Sequence, residues 1–221
     1  LLLAAPSLRA QTAVLDEGAF RILIGGEEVG IEEFSIRRRG TGESAVVIAA
    51  GTVDLSSADS PERARVTLQL RGTSLRPDLY ELLVSGAEQQ HIRGQIIGNR
   101  FSARIASSAG EQMREFLASD GAVLIDDGIA HHYFFLAQAA RGSSTRLPVL
   151  IPRQGRQLSA EVVRSGQEPI DVGGRRVNAD HLIITPMGSS ERHVWVDSRG
   201  NVLRVRIPAQ RYEAVRISPP L

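Results

Sequence analysis

The chain has 221 residues, 42% hydrophobic and 23% charged, a balance that suits one globular domain with a large core. Its formal charge is only +1, set by arginine alone because lysine is absent, so no basic field is available to attract nucleic acid or an anionic membrane. Cysteine is absent too, which excludes disulfides, thiol nucleophiles and Cys-ligated zinc.

Leu1–Ala10 reads as the tail of a secretory signal, with a short apolar run, a proline break and Leu8-x-Ala10 as a cleavage site. Its apolar part is too short to span a bilayer and no later stretch is longer, so no integral membrane segment is expected. A periplasmic or extracellular location follows from that reading. Residues 11–221 then form a single β-rich domain.

The strands begin near Gly18. Phe20, Ile22 and Ile24 alternate, Gly25-Gly26 turns the chain, and Val29, Ile31, Phe34 and Ile36 return. Parity slips between Ile31 and Phe34, which predicts a bulge at Glu32-Glu33. The paired carboxylates Glu27-Glu28 and Glu32-Glu33 read as solvated hairpin ends. Ala45–Val53, Ala64–Leu70, Tyr80–Val84 and Phe101–Ile105 continue the pattern, with Gly98-Asn99 as a hairpin turn. Gly110–Ser119 fits a strand or a helical turn equally.

At Ala122–Gly142 the period changes. Ile129, Tyr133, Leu136, Ala137 and Ala140 form one helical stripe. Asp126 and Asp127 stand where a cap and a first-turn carboxylate belong, and Gly142 offers a left-handed stop. A single helix over about residues 126–141 is therefore expected. Phe134 and Phe135 point away from its stripe, so the helix is covered on more than one side. The remaining chain reads as strands at Leu147–Ile151, Gln157–Arg164, Arg175–Thr185, Arg192–Asp197, Val202–Ile207 and Arg211–Ile217. Pro148 places the first of these at an edge or sheet end. No internal repeat is evident. The fold class is mainly β, a single curved antiparallel sheet (half-barrel or open barrel) wrapping one central helix.

No catalytic signature stands out. His131 and His132 are adjacent, so on a helix they diverge by about 100° and cannot chelate as an i, i+4 pair does. There is no G-x-S-x-G elbow, and Asp197 is explained as the first residue of a tight Asp-Ser-Arg-Gly turn. Neither an enzyme, nor a metal site, nor a cofactor is expected. Trp195, the only tryptophan, is either core packing or one wall of an apolar cavity.

The run His193-Val-Trp-Val-Asp-Ser-Arg-Gly-Asn-Val-Leu-Arg-Val-Arg-Ile-Pro208 resembles the hairpin that ends many uncharacterised, exported bacterial β-domains, with a W-V-D-x-x-G-x-L segment before a closing strand. In outline such domains are similar to the periplasmic lipoprotein-carrier half-barrel, in which a curved sheet wraps a helix over an apolar cavity. That resemblance implies sequestration of an apolar or amphipathic ligand, and a lipid or lipidated protein as partner. Tyr133, Phe134, Phe135 and Trp195 are the candidate ligand-binding residues. The alternative is a cell-envelope structural or interaction module whose core is fully packed.

Overall fold

The computed structural model describes residues 12–56 and 59–220. The expected signal tail, Leu1–Ala10, lies outside them. Among the described residues, fifteen strands join in one sheet. The first eight are β1 (Thr12–Ile24), β2 (Glu27–Arg39), β3 (Val46–Asp54), β4 (Glu62–Arg71), β5 (Arg76–Gly86), β6 (Gln90–Ile97), β7 (Arg100–Ser107) and β8 (Gly110–Leu117). After β9 (Val123–Leu124) comes the helix α1 (Tyr133–Ala139), entered through a 3-10 turn at Ala130–His132. The rest are β10 (Ser144–Ile151), β11 (Arg156–Val172), β12 (Arg175–Pro186), β13 (Arg192–Val196), β14 (Val202–Ile207) and β15 (Tyr212–Arg216).

The chain starts in the middle of its own sheet. From β1 it meanders outward to β8 at one edge, leaps to β9 at the other, and meanders back until β15 pairs with β1. Every pairing is antiparallel except β9 with β10. Laid flat, fifteen strands about 4.8 Å apart would separate the edges by about 65 Å. Ala118–Ala122, which links those edges, can reach only about 20 Å when extended. The sheet must therefore curl until its edges approach. Gln157 at the start of β11 accordingly donates to the Leu117 carbonyl at the end of β8. The sheet is curved and unclosed, and α1 lies in its hollow. The 3-10 turn touches β3 from one half of the sheet and β14 from the other.

Where β1 meets β15, the seam is stitched by Arg216, which is 1% exposed. Its guanidinium donates to both Asp16 oxygens at 2.7 and 2.8 Å, and to the carbonyls of Glu17, Val202 and Ser218. All five donors are used, which is the condition under which a buried arginine is tolerated. A side chain on Gly18 would meet it, since a Cβ there would lie 3.0 Å from Nη2.

Two expectations need correction. The register of β1–β2 shifts at Leu15 of β1 and at Val29 of β2, not at Glu32-Glu33, and β2 pairs with β3 in unbroken register. Ile31 therefore points out and Glu32 points in, fully buried. The helix is also shorter than residues 126–141. Gly128 has φ +74 and Ile129 is extended, so helical geometry starts at Ala130, and Ala140 is already extended. Gly142 is left-handed but lies beyond the cap. Gly110–Leu117 is a strand, and it forms an edge of the sheet.

Candidate functional site

The helix start is held by a residue from across the fold. Glu32 accepts the backbone N–H groups of Ala130 at 2.7 Å and His131 at 2.9 Å, and the His131 ring Nδ1 at 2.6 Å. A carboxylate at this end satisfies unpaired N–H groups and complements the positive end of the backbone dipoles. His131 stacks on Phe34, with ring centroids 5.4 Å apart, and fits because Gly51 has no side chain. A Cβ on Gly51 would lie 2.8 Å from the His131 ring. His132 is also wholly buried, and neither of its ring nitrogens has a partner among the described residues. Burial, then the neighbouring His131, holds its pKa well below the usual histidine range, so it is a neutral ring.

Asp126 and Asp127 do other work than capping. Asp126, 1% exposed, accepts the Tyr80 hydroxyl and the N–H groups of Arg153 at 3.1 Å and Asp127 at 3.0 Å. Burial pushes its carboxyl up to about 7, against the opposing pull of those hydrogen bonds and of the Arg153 charge. Asp127 accepts Arg192 Nη2 at 2.9 Å and the Gln154 side chain. Close by are buried donors without partners among the described residues: Nε and Nη1 of Arg192, and the hydroxyls of Tyr133 and Tyr212. Leaving such groups unpaired costs about 1–3 kcal/mol each, so their concentration here is informative.

Two turns of related sequence converge on this place. Ile151-Pro152-Arg153-Gln154 and Ile207-Pro208-Ala209-Gln210 each form a 3-10 turn with proline first, and each ends on a left-handed residue, Gly155 and Arg211. They join β10 to β11 and β14 to β15. The repeated I-P-x-Q segment is a sequence signal for this place, too short to stand out as an internal repeat. Between the turns and Gly128 lies a recess of about 250 Å³. Its floor is apolar, including Ile22, Val53, Ala64 and Ile129, and Arg153, Gln210, Asp127, Glu62 and Tyr212 surround it.

A second recess, about 380 Å³, opens on the other side of the helix at Phe134. Leu15, Ala45, Leu75 and Phe134 supply its apolar wall, while Arg38, Thr41, Thr73, Gln138, Arg199 and Asn201 supply polar groups. Leu75 has φ +52, a conformation costly for a leucine, at the turn between β4 and β5.

Of the candidate residues, Tyr133, Phe134 and Phe135 are brought together on buried α1, with Phe134 and Phe135 edge to face at 5.4 Å. Trp195 is not with them. It belongs to a separate cluster with Val172, Ala179 and Leu203, on the face of β13 opposite to inward-pointing Val194 and Val196. There it stacks on His181 at 4.5 Å, lies under the Arg204 guanidinium at 5.0 Å, and donates its indole N–H to Glu168. Its packing explanation is complete. The following Asp197 turn is likewise structural, with Asp197 accepting the N–H groups of Arg199 and Asn201. Among the described residues, no three histidine, aspartate or glutamate side chains converge as a metal ion would require.

No protein-family model matches this chain. Nor does any curated protein match it in sequence. Among solved structures, the crystal structure of a DUF1089 family protein from Pseudomonas aeruginosa is similar, with a TM-score of 0.47 at 12% identity over 81% of this chain and 90% of that one.

Proposed function

We propose that this protein is a non-catalytic binder of an amphipathic ligand, an acyl chain bearing an anionic head, held in the recess beside Phe134. The observation that carries this reading is the two-sided lining of that recess. Leu15, Leu75 and Phe134 offer an apolar wall, and Arg38 stands on a rim of hydroxyl and amide groups. Its volume of about 380 Å³ falls within the ordinary range of ligand pockets, about 300–1,000 Å³. Each chain CH₂ taken from water would contribute about 0.8 kcal/mol, and an exposed arginine–carboxylate pair about 0.2–1 kcal/mol. The chain thus supplies affinity and the rim supplies orientation. A lipid or lipidated protein is the partner class. A periplasmic or extracellular setting goes with this reading and rests on Leu1–Ala10 alone.

Titration of lipid-free protein with octanoate, decanoate and dodecanoate, followed by calorimetry and by the amide resonances of Leu75 and Phe134, tests it. Affinity should rise about fourfold per added CH₂ until the recess is full. Arg38→Glu should weaken binding severalfold. Leu75→Asn, which suits the left-handed backbone but removes the apolar wall, should weaken it about tenfold or more. Trp195, remote from the recess, should report nothing. Absence of saturable binding in the folded protein would favour a packed interaction module.

A further inference from the structure

We propose that the recess between the Gly25-Gly26 turn and Arg211 is a second binding site, for a phosphate group, either free or carried by a small molecule.

The two I-P-x-Q turns supply a comparison within the chain. Each ends on a residue in the left-handed region, Gly155 at φ +60 in the first and Arg211 at φ +54 in the second. The backbone does the same work in both. Gly155 donates its N–H to the Pro152 carbonyl at 2.9 Å, and Arg211 donates to the Pro208 carbonyl at 3.0 Å. The Arg211 carbonyl also accepts the Gly25 N–H at 2.8 Å. None of these contacts needs a side chain, and glycine takes this conformation freely where an L-residue takes it at a cost. What arginine returns at this position must come from its guanidinium. Among the described residues only Leu75 and Arg211 combine a side chain with positive φ, and each lines a recess.

The Arg211 guanidinium is placed but not paired. It lies against Gly25, where an added Cβ would come within 2.5 Å of Nη2. It has no hydrogen bond or ion pair among the described residues, and neither has Arg206, which lines the same recess. Arg206 stands opposite Glu213 in the β14–β15 register, but the Glu213 carboxylate is held by Nε and Nη2 of Arg204. Glu27 and Glu28, just beyond the turn, do not line the recess. Two positive charges thus face one volume of about 330 Å³ in which the only lining carboxylate is already taken.

A single exposed guanidinium is well hydrated and its ion pairs are weak, so the convergence of two is what makes a site. Planar guanidinium forks match the oxygens of phosphate two at a time, and a dianion answers both arginines where a carboxylate answers one. Beside them Gly26 is bare, and an added Cβ there would meet nothing, which leaves room for the group that carries the phosphate.

Inorganic phosphate, glycerol 3-phosphate and acetate are titrated into ¹⁵N-labelled protein at constant ionic strength and about pH 8, where phosphate is a dianion. The amides of Gly25, Gly26 and Tyr212 are followed. Both phosphates should bind saturably, and acetate about tenfold more weakly or less. Tighter binding of glycerol 3-phosphate identifies a phosphorylated small molecule as the ligand, and equal or tighter binding of inorganic phosphate identifies the free ion. Arg211→Gly should weaken phosphate binding about tenfold or more without lowering Tm, because it relieves the backbone and removes no pairing within the chain. Arg206→Gln should weaken binding severalfold with Tm unchanged. The proposal is overturned if Arg211→Gly leaves phosphate binding intact, if it lowers Tm and so gives the side chain a structural use, or if acetate binds as well as phosphate. It is overturned too if phosphate moves none of these amides. The outcome is independent of the acyl-chain reading, whose signature is movement at Leu75 and Phe134.

Discussion

Two histidine pairs sit on opposite faces of the same sheet and are handled in opposite ways. Inside the curl, His131 and His132 are wholly buried, one paired to Glu32 and the other left as an unpartnered neutral ring. Outside, His181 and His193 face each other at 3.0 Å between their ring nitrogens and stack with Trp195, with Glu191 and Glu168 at hand. The outer pair has about a fifth of each side chain in water, so solvent can supply whatever the protein does not. Within the hollow no such supply exists. An inner polar group must be matched by protein, by a buried water or by a ligand.

The largest test of this contrast is removal of Glu32. Glu32→Ala strands two backbone N–H groups and a buried imidazole, and should cost about 3–5 kcal/mol in denaturant unfolding. His193→Ala on the outer face should cost about 1 kcal/mol or less. Equal losses would show that the inner network is no more demanding than the outer one.

Next in size is a compensation between Asp126 and His132. Between about pH 4 and pH 7 the folded state keeps a proton on Asp126 that the unfolded chain has released, so this group lowers stability as pH rises. Below about pH 6.5 the unfolded chain protonates His132 and the folded state does not, so this group lowers stability as pH falls. From about pH 4 to 6.5 the two slopes oppose, each about 1.4 kcal/mol per pH unit at most. Asp126→Asn should therefore make the protein lose stability on acidification relative to wild type, and His132→Leu should make it gain. Parallel pH profiles for the two variants would refute the assignment.

The smallest effect belongs to the outer stack. Burial, then the neighbouring His193, lowers the His181 pKa, so acidification should protonate it below the usual histidine midpoint. A charged imidazole parallel to the indole should then quench Trp195 fluorescence, with a midpoint below about pH 6.5. His181→Gln should remove that transition with little change in stability. A transition that survives the substitution would point to another quencher.

Alternation and turn chemistry make most of the strands legible, though not β8 or β9, because a period of two and a glycine with positive φ are local properties of the chain. Of the stripe Ile129, Tyr133, Leu136, Ala137 and Ala140, readable as buried for the same reason, all but Ala137 are buried, and Ala137 is half-buried. Local pattern could not say which way a strand faces when both of its faces carry apolar side chains. Val194 and Val196 point to the hollow and Trp195 away from it, a choice made by the register of β13 between β12 and β14. Glu32 looked like a solvated hairpin carboxylate, yet unbroken pairing with β3 carries it inward to the start of a helix far along the chain. Asp126 and Asp127, good caps by spacing, were turned to Tyr80 and Arg192 once Gly128 broke the helical path. The recess beside Tyr212 exists only because the curl brings two I-P-x-Q turns against the first hairpins. Burial decides these matters: a buried charge or hydroxyl takes its meaning from what the tertiary fold sets beside it, and no local pattern carries that information.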